Sequence, residues 1–213
     1  MKNFSAILSF AYNDMPRTAA QNKEIKDKRR NEILESALKC FALIGYKNLR
    51  IDSIAKDANC SHGLFYHYFA DKQAIFKGLF SSIIQEASCL PPVDEIDVQG
   101  GLDSLKLLLN YFKKLEKSPL RNIYIVKIVF DMNYIENLPP QMASWARQFD
   151  LFKILQDKIS LGQKEGHIIN GDPKEIAQCF FFLIDKIFSN KIKGSPVNIS
   201  EEVLLELFLK HSI

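Results

Sequence analysis

Residues 51–69 constrain the fold more than any other part of the chain, because they hold two short amphipathic helical patterns separated by a tight turn. The apolar residues of the first pattern, spaced at i, i+3, i+4 and i+7, are Ile51, Ile54, Ala55 and Ala58. This spacing makes one face of a helix apolar. Asn59 follows where helices commonly end in a left-handed residue. Two short helices joined in this way predict a helix-turn-helix.

The second helix of this motif has two different sides. Ser61 is placed to cap it, because a serine hydroxyl can accept a backbone N–H of the first turn. Phe65 and Phe69 share one side and are predicted core residues. The residues expected to face mostly outward are His62, Gly63, Leu64, Tyr66 and His67. A buried aromatic side opposite a polar and aromatic side is typical of a recognition helix in a DNA groove.

Three segments carry a resemblance to a known family: ILESALKCFALIGYKN from residue 33, IDSIAKDANCS from residue 51 and HGLFYHYFADKQAIF from residue 62. With Gly45, Gly63 and Lys72 in register, this third of the chain resembles the DNA-binding domain of the TetR family of bacterial transcription regulators. A weaker similarity, EGHIINGDPKEIA from residue 165, follows in the C-terminal part. The rest of the chain resembles the family in helix spacing alone.

The resemblance implies an all-α fold. An N-terminal three-helix helix-turn-helix domain would be joined by a long helix to a C-terminal helical ligand-binding and dimerisation domain. It also implies a homodimer that binds double-stranded DNA at a palindromic operator, represses transcription and responds to an unknown small molecule. The residues predicted to contact DNA are Arg50, Ser61, His62, Gly63, Leu64, Tyr66, His67 and Lys72.

The chain departs from the family just before the first motif helix, where members usually carry Thr or Ser and this sequence has Leu49 and Arg50. A guanidinium can contact a phosphate, but it cannot accept a backbone N–H as a helix cap. His62 also replaces the usual Lys or Arg after the turn, and Leu64 replaces a small polar residue.

The charge is unevenly distributed. Residues 17–77 contain 12 Lys or Arg against 7 Asp or Glu, a net charge of +5, whereas residues 78–213 carry 15 against 17, a net charge of −2. Excess positive charge in the motif region is what phosphate neutralisation requires. A solvated basic face is the alternative explanation, and it applies equally to the run Lys26, Lys28, Arg29 and Arg30.

Turn signals divide the chain into an arm (1–22), a helix-turn-helix domain (23–78) and a ligand-binding and dimerisation domain (79–213). Beyond the motif, helices are predicted over 23–44, 72–89, 102–117, 120–134, 140–165, 173–193 and 201–210. Asp71, Asp172 and Ser200 are the predicted N-caps. Because the family pattern begins after Met15, residues 1–14 are open to being an extra arm or upstream of the true start.

A ligand pocket is expected among the middle helices on the strength of the resemblance. Its candidate aromatic residues are Tyr111, Phe112, Tyr124, Phe130, Trp145, Phe149 and Phe152. The effector is accordingly expected to be apolar or aromatic, with Arg121, Lys127 or Asp131 as polar anchors. The alternative is that these rings pack an ordinary core, since aromatic stripes at helical spacing usually do so.

The last two helices are too apolar for one partner surface, and in the family the corresponding pair forms a four-helix bundle with a second subunit. The predicted interface residues are Ile176, Phe180, Leu183, Ile184, Ile187, Leu204, Leu207 and Phe208. A core hairpin within a monomer is the alternative reading of the same stripes.

An enzyme is not expected, since the sequence has no glycine-rich phosphate loop, nucleophile elbow or HExxH motif. No metal site or cofactor is expected. The four cysteines lack CxxC spacing, as suits a reducing cytoplasm, and no apolar run approaches the roughly 20 residues of a membrane span. Two other functions stay open: a helical interaction protein that no longer binds DNA, and a small lipid carrier.

Overall fold

The computed structural model describes residues 18–85, 90–97, 99–132 and 138–210, without the side chains of Gln141, Trp145 and Gln148. The chain in these ranges is α-helical, with one isolated β-bridge between Ile168 and Leu209. Most of the proposed arm, the predicted end of the fourth helix near residue 89 and the Trp145 ring lie outside the described residues. None of the described helices combines the length and apolarity needed to cross a bilayer.

Residues 18–85 form four helices: α1 (Ala19–Ile44), α2 (Ile51–Asp57), α3 (His62–Tyr68) and α4 (Lys72–Gln85). Helix α1 begins at Ala19 rather than at the predicted residue 23, because Thr18 and Gln21 form a reciprocal capping box. It ends at Gly45, whose φ of 78° favours glycine. Asn59, with a φ of 47°, takes the left-handed conformation expected between α2 and α3.

The apolar stripes of these helices meet in one core. Its fully buried residues include Ile33, Ala37, Leu38 and Phe41 of α1, Ile54 of α2, Phe65 of α3, and Ile75 and Leu79 of α4. Burying each large apolar side chain stabilises the fold by about 1.5–3 kcal/mol. The aromatic side of α3 is therefore fixed by packing, and its other side must face away from the protein.

The described residues after position 90 form seven helices: α5 (Val93–Asp97), α6 (Gly101–Lys117), α7 (Leu120–Met132), α8 (Pro140–Gln148), α9 (Leu151–Lys164), α10 (Pro173–Ile192) and α11 (Glu201–Glu206). Helix α5 was not predicted. The helix predicted over 140–165 is wrong as a single element, since Asp150 interrupts it and accepts the Lys153 N–H at 3.2 Å as the N-cap of α9.

The last helix is also shorter than predicted. Helix α11 ends at Glu206, and the chain after it pairs with the segment that precedes α10. Ile169 donates its N–H to the Phe208 carbonyl at 3.0 Å, and Lys210 donates to the His167 carbonyl at 2.9 Å. These hydrogen bonds replace the helical ones that the sequence pattern suggested.

Helix α7 joins the two halves of the molecule, because it packs along α1 and also contacts α10. The buried core is continuous from the motif helices to the C-terminal helices. The domain division at residue 78 therefore falls inside a packed helix, and it stays a prediction. This packing places one end of α7 beside the N-terminal region.

Candidate DNA-contact surface and interior cavity

Helix α3 has a solvent-exposed side opposite a buried aromatic ring. Phe65 is fully buried, whereas Tyr66 keeps 48% of its surface exposed. The residues of this helix open to solvent are His62, Gly63, Tyr66 and His67, with Leu64 half-buried. The Ser61 hydroxyl accepts the Leu64 N–H at 3.1 Å, which confirms the predicted cap. This geometry gives a helix edge that another molecule can reach.

Two exposed side chains link the motif helices at this edge. The Nε2 atom of His62 contacts the Asp52 carboxylate across from α2. The imidazole also lies edge-on to the Tyr66 ring, with 5.8 Å between centroids. This contact joins the exposed sides of α2 and α3 at the edge of the motif.

Lys72 lies at the start of α4 and turns inward rather than out. Its Nζ donates to the Tyr46 carbonyl at 2.7 Å and to the Leu49 carbonyl at 3.3 Å, and it lies 4.6 Å from the Tyr46 ring centroid. These contacts hold the loop that precedes α2. Arg50, at the N-cap position of α2, is exposed and makes no capping hydrogen bond through its side chain. DNA contacts by either residue stay predictions.

Arg29 of the basic run on α1 also has a partner within the protein. Its Nη2 donates to the carbonyls of Ala58 at 3.1 Å and Asn59 at 2.8 Å, where α2 ends. Its Nη1 pairs with Glu32 at 2.6 Å, and this hydrogen bond raises the pKa of the guanidinium above its ordinary value. The sequence did not indicate this role, because the partner carbonyls are about thirty residues away along the chain.

A cavity of about 190 Å³ lies between α7, the start of α9 and α10. Its lining residues are Lys127, Phe130, Asp131, Phe149, Asp150, Leu151, Phe152, Phe181, Ile184, Asp185 and Phe188. Five of these are phenylalanines and four are charged. The cavity therefore combines aromatic walls with a small number of ionised groups, as binding sites for small molecules usually do.

The charged groups of the cavity are mostly acidic. Lys127 forms an ion pair with the Asp185 carboxylate, and an Asp150 oxygen accepts the Lys153 N–H. Desolvation raises the pKa of the Asp131 carboxyl, Lys127 opposes this change and Asp185 adds to it. By surface area Asp131 remains exposed, so the increase in its pKa is smaller than full burial would produce.

Comparison with known proteins decides the family. The model of bacterial regulatory proteins of the tetR family matches residues 33–79, which include all of α2 and α3. YhgD, an uncharacterized HTH-type transcriptional regulator of Bacillus subtilis (strain 168), is 38% identical over 188 residues, covering 85% of this chain and 94% of YhgD. This chain belongs to the TetR family. It is a DNA-binding regulator of transcription with a helix-turn-helix.

One further relative and two solved structures are also similar to this chain. The HTH-type transcriptional repressor Rv1474c of Mycobacterium tuberculosis (strain ATCC 25618 / H37Rv) is 20% identical over 157 residues, covering 73% of this chain and 78% of the repressor. Among solved structures, a HlyIIR mutant shares the fold with a TM-score of 0.61 at 17% identity, covering 87% of this chain and 97% of that one. AibR, solved with isovaleryl coenzyme A and operator DNA, gives 0.52 at 14% identity, with 84% and 94% covered.

The structure brings part of the predicted pocket residues together around this cavity, and their contact with a ligand stays a prediction. Phe130, Phe149 and Phe152 line the cavity, and Phe112 is buried behind them, 6.0 Å from Phe130 between centroids. Tyr111 and Tyr124 do not line it. Of the three polar anchors considered, Lys127 and Asp131 line it, whereas Arg121 pairs with Glu35 of α1.

Sequence reasoning missed the four α10 residues of the cavity, which are Phe181, Ile184, Asp185 and Phe188. The sequence does show that α10 is apolar nearly all round. This property predicted core and dimer contacts, and a cavity wall was not considered. A helix with this composition has enough apolar surface to pack against α6 and α7 and also to line a cavity.

The predicted dimer interface is divided by the fold. Six of its residues are buried within the protomer's own core: Ile176, Phe180, Ile184, Ile187, Leu204 and Phe208. Leu183 is half-buried and Leu207 is 53% exposed. The apolar residues of these two helices that do lie open include Phe182, at 71% exposure, and Val203, at 56%. These two helices bury one apolar side within their own protomer. A partner subunit would therefore contact the residues that stay exposed, such as Phe182 and Val203.

Proposed function

We propose that this TetR-family regulator is a homodimeric, ligand-responsive repressor that binds a two-fold symmetric operator through α3 and a small molecule through the cavity. The observation that carries the proposal is the two-sided geometry of α3, with Phe65 fully buried and Tyr66 exposed on the other side. A side chain held in this way can reach a base edge without disturbing the core.

The chemistry of the exposed side of α3 supports DNA contact. His62, Tyr66 and His67 supply donors and acceptors for bases or phosphates, and the half-buried Leu64 supplies an apolar group for a thymine methyl. Ser61 and Gly63 leave the backbone open at the start of the helix, where backbone N–H groups bind phosphate oxygens well. Arg50 is exposed beside them and brings a positive charge.

Dimerisation is supported by large apolar side chains that stay exposed in the C-terminal part of the chain, namely Phe182 of α10, Val203 of α11 and Leu207 just after α11. Exposed apolar side chains mark candidate protein–protein contacts when they form a contiguous surface, which a second copy of the chain would cover. A two-fold pair of recognition helices fits successive major grooves when they are about 34–36 Å apart. A single motif would bind DNA weakly and with little specificity.

Ligand response is supported by the course of α7. One end of this helix contributes Lys127, Phe130 and Asp131 to the cavity, and its other end holds Arg121 against Glu35 of α1. Occupation of the cavity would move α7 and thereby α1, which packs against α2. Coupling of this kind typically amounts to about 1–3 kcal/mol. The AibR structure, with isovaleryl coenzyme A and operator DNA in one complex, supports a ligand and DNA acting on one chain of this fold.

Selection of binding sites from a random duplex library tests the proposal without knowledge of the operator. We expect enrichment of an inverted repeat whose half-site centres are about 10–10.5 base pairs apart, or a multiple of that spacing. Enrichment of no sequence at all would contradict DNA recognition. Enrichment of an isolated half-site would contradict the two-fold dimer.

A further inference from the structure

We propose that the cavity selects a small lipophilic cation, namely an organic ammonium compound with an aromatic or compact apolar body. This inference rests on the proposed function, in that it names the chemical class of the effector. It depends on three properties of the lining residues: their aromatic rings, their net charge and the space they enclose.

The rings provide the first property. Phe130 and Phe181 meet edge to face, with 5.7 Å between centroids, and Phe152 lies 6.2 Å from Phe181. Phe149 and Phe188 complete the aromatic walls. The face of an aromatic ring carries partial negative charge and attracts a cation that lies within about 6 Å of its centroid.

The second property is the net charge. Three aspartates against one lysine give the described lining residues a formal charge of −2. Because Lys127 and Asp185 are paired with each other, the unbalanced charge belongs to Asp131 and Asp150. Among the described residues, no hydrogen bond or ion pair engages the Asp131 carboxylate. These two carboxylates give the cavity an attraction for positive charge, which a cationic ligand would balance.

The same residues disfavour the other ligand classes. An anion would find only one cationic group in the described lining, Lys127, and this group already pairs with Asp185. A neutral ligand with many hydroxyl groups would meet no serine, threonine, asparagine or glutamine side chain in the part of the lining that the structure describes. Hydrogen-bonding groups left without partners in an apolar site reduce affinity.

The third property is size. A closed apolar cavity of about 150 Å³ can hold benzene, and this cavity measures about 190 Å³. A single ring with a small ammonium group fits such a space, whereas a large polycyclic compound would require the walls to move. Benzyltrimethylammonium is therefore a suitable probe, and 3-phenylpropanoate is an anionic counterpart of similar size.

Isothermal titration of the full chain with the two probes tests the inference. We expect saturable binding of benzyltrimethylammonium and no measurable binding of 3-phenylpropanoate. Asp131→Asn and Asp150→Asn should each weaken cation binding by about three- to tenfold, as loss of a nearby, partly exposed counter-charge would. Asparagine preserves the shape of each side chain and also the cap at position 150.

Asp157→Asn is the matched control, because Asp157 is an exposed carboxylate of α9 that does not line the cavity. It should leave the affinity unchanged, and circular dichroism should show all variants folded. Equal or tighter binding of 3-phenylpropanoate would overturn the inference. So would unchanged cation affinity in the Asp131→Asn, Asp150→Asn double variant.

Binding of the selected duplex by the ligand-free protein is measured separately, which keeps the two proposals distinguishable. Duplex binding without cation binding would overturn the inference and leave DNA recognition standing. Cation binding without duplex binding would overturn the proposed function and leave the chemistry of the cavity standing.

Discussion

Arg121 of α7 and Glu35 of α1 form a two-pronged ion pair, with Arg121 Nε 2.9 Å from Oε2 and Arg121 Nη2 2.9 Å from Oε1 of the glutamate. Both side chains keep solvent contact, so the pair contributes at most about 1 kcal/mol to stability. Its position matters more than its strength, because it fixes the orientation of α7 against the helix that supports the motif.

Glu35→Gln should therefore weaken the coupling between the cavity and the DNA-contact surface more than it lowers the free energy of unfolding. Without the carboxylate, α7 keeps its apolar packing on α1 but loses its charged anchor there. The change in duplex affinity caused by saturating benzyltrimethylammonium should therefore decrease by about 0.5–1 kcal/mol, a large part of a typical coupling free energy of 1–3 kcal/mol. Fluorescence anisotropy with and without the probe measures this change. Glu24→Gln, elsewhere on α1 and exposed, is the control and should leave it intact. An unaltered ligand effect in Glu35→Gln would remove this ion pair from the coupling route.

Gly101 and Gly162 bring α6 and α9 into backbone contact, and substitution there should be severe. A Cβ at position 101 would lie 2.2 Å from the Gly162 nitrogen and 2.5 Å from the Lys158 carbonyl oxygen, neither of which can rotate away. We expect Gly101→Ala to lower the free energy of unfolding by about 3 kcal/mol or more, measured by urea denaturation.

Gly63→Ala provides the comparison for that prediction. Position 63 is helical, and a Cβ added there would have no neighbouring atom within 4 Å, so alanine meets open space. Replacing glycine by alanine in a helix should stabilise the protein by about 0.5–1 kcal/mol. If Gly101→Ala were as stable as Gly63→Ala, the close approach of α6 and α9 would be refuted.

The Asp131 carboxyl predicts a particular pH dependence. Since desolvation raises its pKa in the folded state, the ionised form is disfavoured by folding. The resulting penalty is present above the folded-state pKa and disappears as the pH falls through that pKa towards the unfolded value. Asp131→Asn should thus be more stable than the parent at neutral pH, and this difference should shrink in acid.

Thermal unfolding at several pH values measures this difference, with Asp157→Asn as the reference for an ordinary surface carboxylate. The affinity for benzyltrimethylammonium should also fall in acid, because protonation of Asp131 removes the counter-charge. A stability advantage of Asp131→Asn that grew as the pH was lowered would contradict the sign of the effect.

The exposed Phe182 of α10 predicts the effect of an added charge on the proposed dimer. Phe182→Glu should convert the dimer to a monomer at micromolar concentration, because it places a carboxylate in an apolar contact. Analytical ultracentrifugation measures the mass in solution. Ile25→Glu makes the same type of change on α1, where the isoleucine is 47% exposed, and should leave the dimer unchanged. An unaffected dimer in Phe182→Glu would place the interface elsewhere.

Local chemistry made much of the fold predictable. Ser61, Asp71 and Asp172 each accept an N–H of the following helical turn, as their positions before apolar patterns indicated. Asn59 and Gly45 likewise mark turns that require a left-handed residue. These signals depend only on neighbouring residues, so no knowledge of tertiary packing was needed.

The errors arose where a residue has two acceptable local roles. Asp150 can continue a helix or cap one, and the apolar pattern on both sides of it ran on without a glycine or proline. Helix α8 packs against α7, whereas α9 packs against α6 and α10, and this tertiary information lies outside the segment. Lys72 is similar, because the carbonyls that receive its hydrogen bonds belong to a loop more than twenty residues earlier.

The two candidate sites also differ in how far the sequence predicts them. The exposed side of α3 could be predicted because one short helix determines it. The cavity could be predicted only in part, since its walls come from three helices and the sequence shows that α10 is apolar without showing what each ring contacts. Phe180 and Ile184 were predicted for the dimer interface but are buried in the protomer core. The sequence could not show this either, because it does not reveal which helix each apolar side chain contacts.

The most direct test of the central claim is the affinity of Tyr66→Ala, His67→Ala for the selected duplex, measured by anisotropy at two salt concentrations. The parent protein should bind with an affinity that falls steeply with salt, the slope of log K against log salt being about −0.9 per phosphate contact. The double variant should stay dimeric and bind at least about tenfold more weakly, as the loss of base contacts predicts. Unchanged affinity in that variant, or binding insensitive to salt, would contradict the claim that α3 reads DNA.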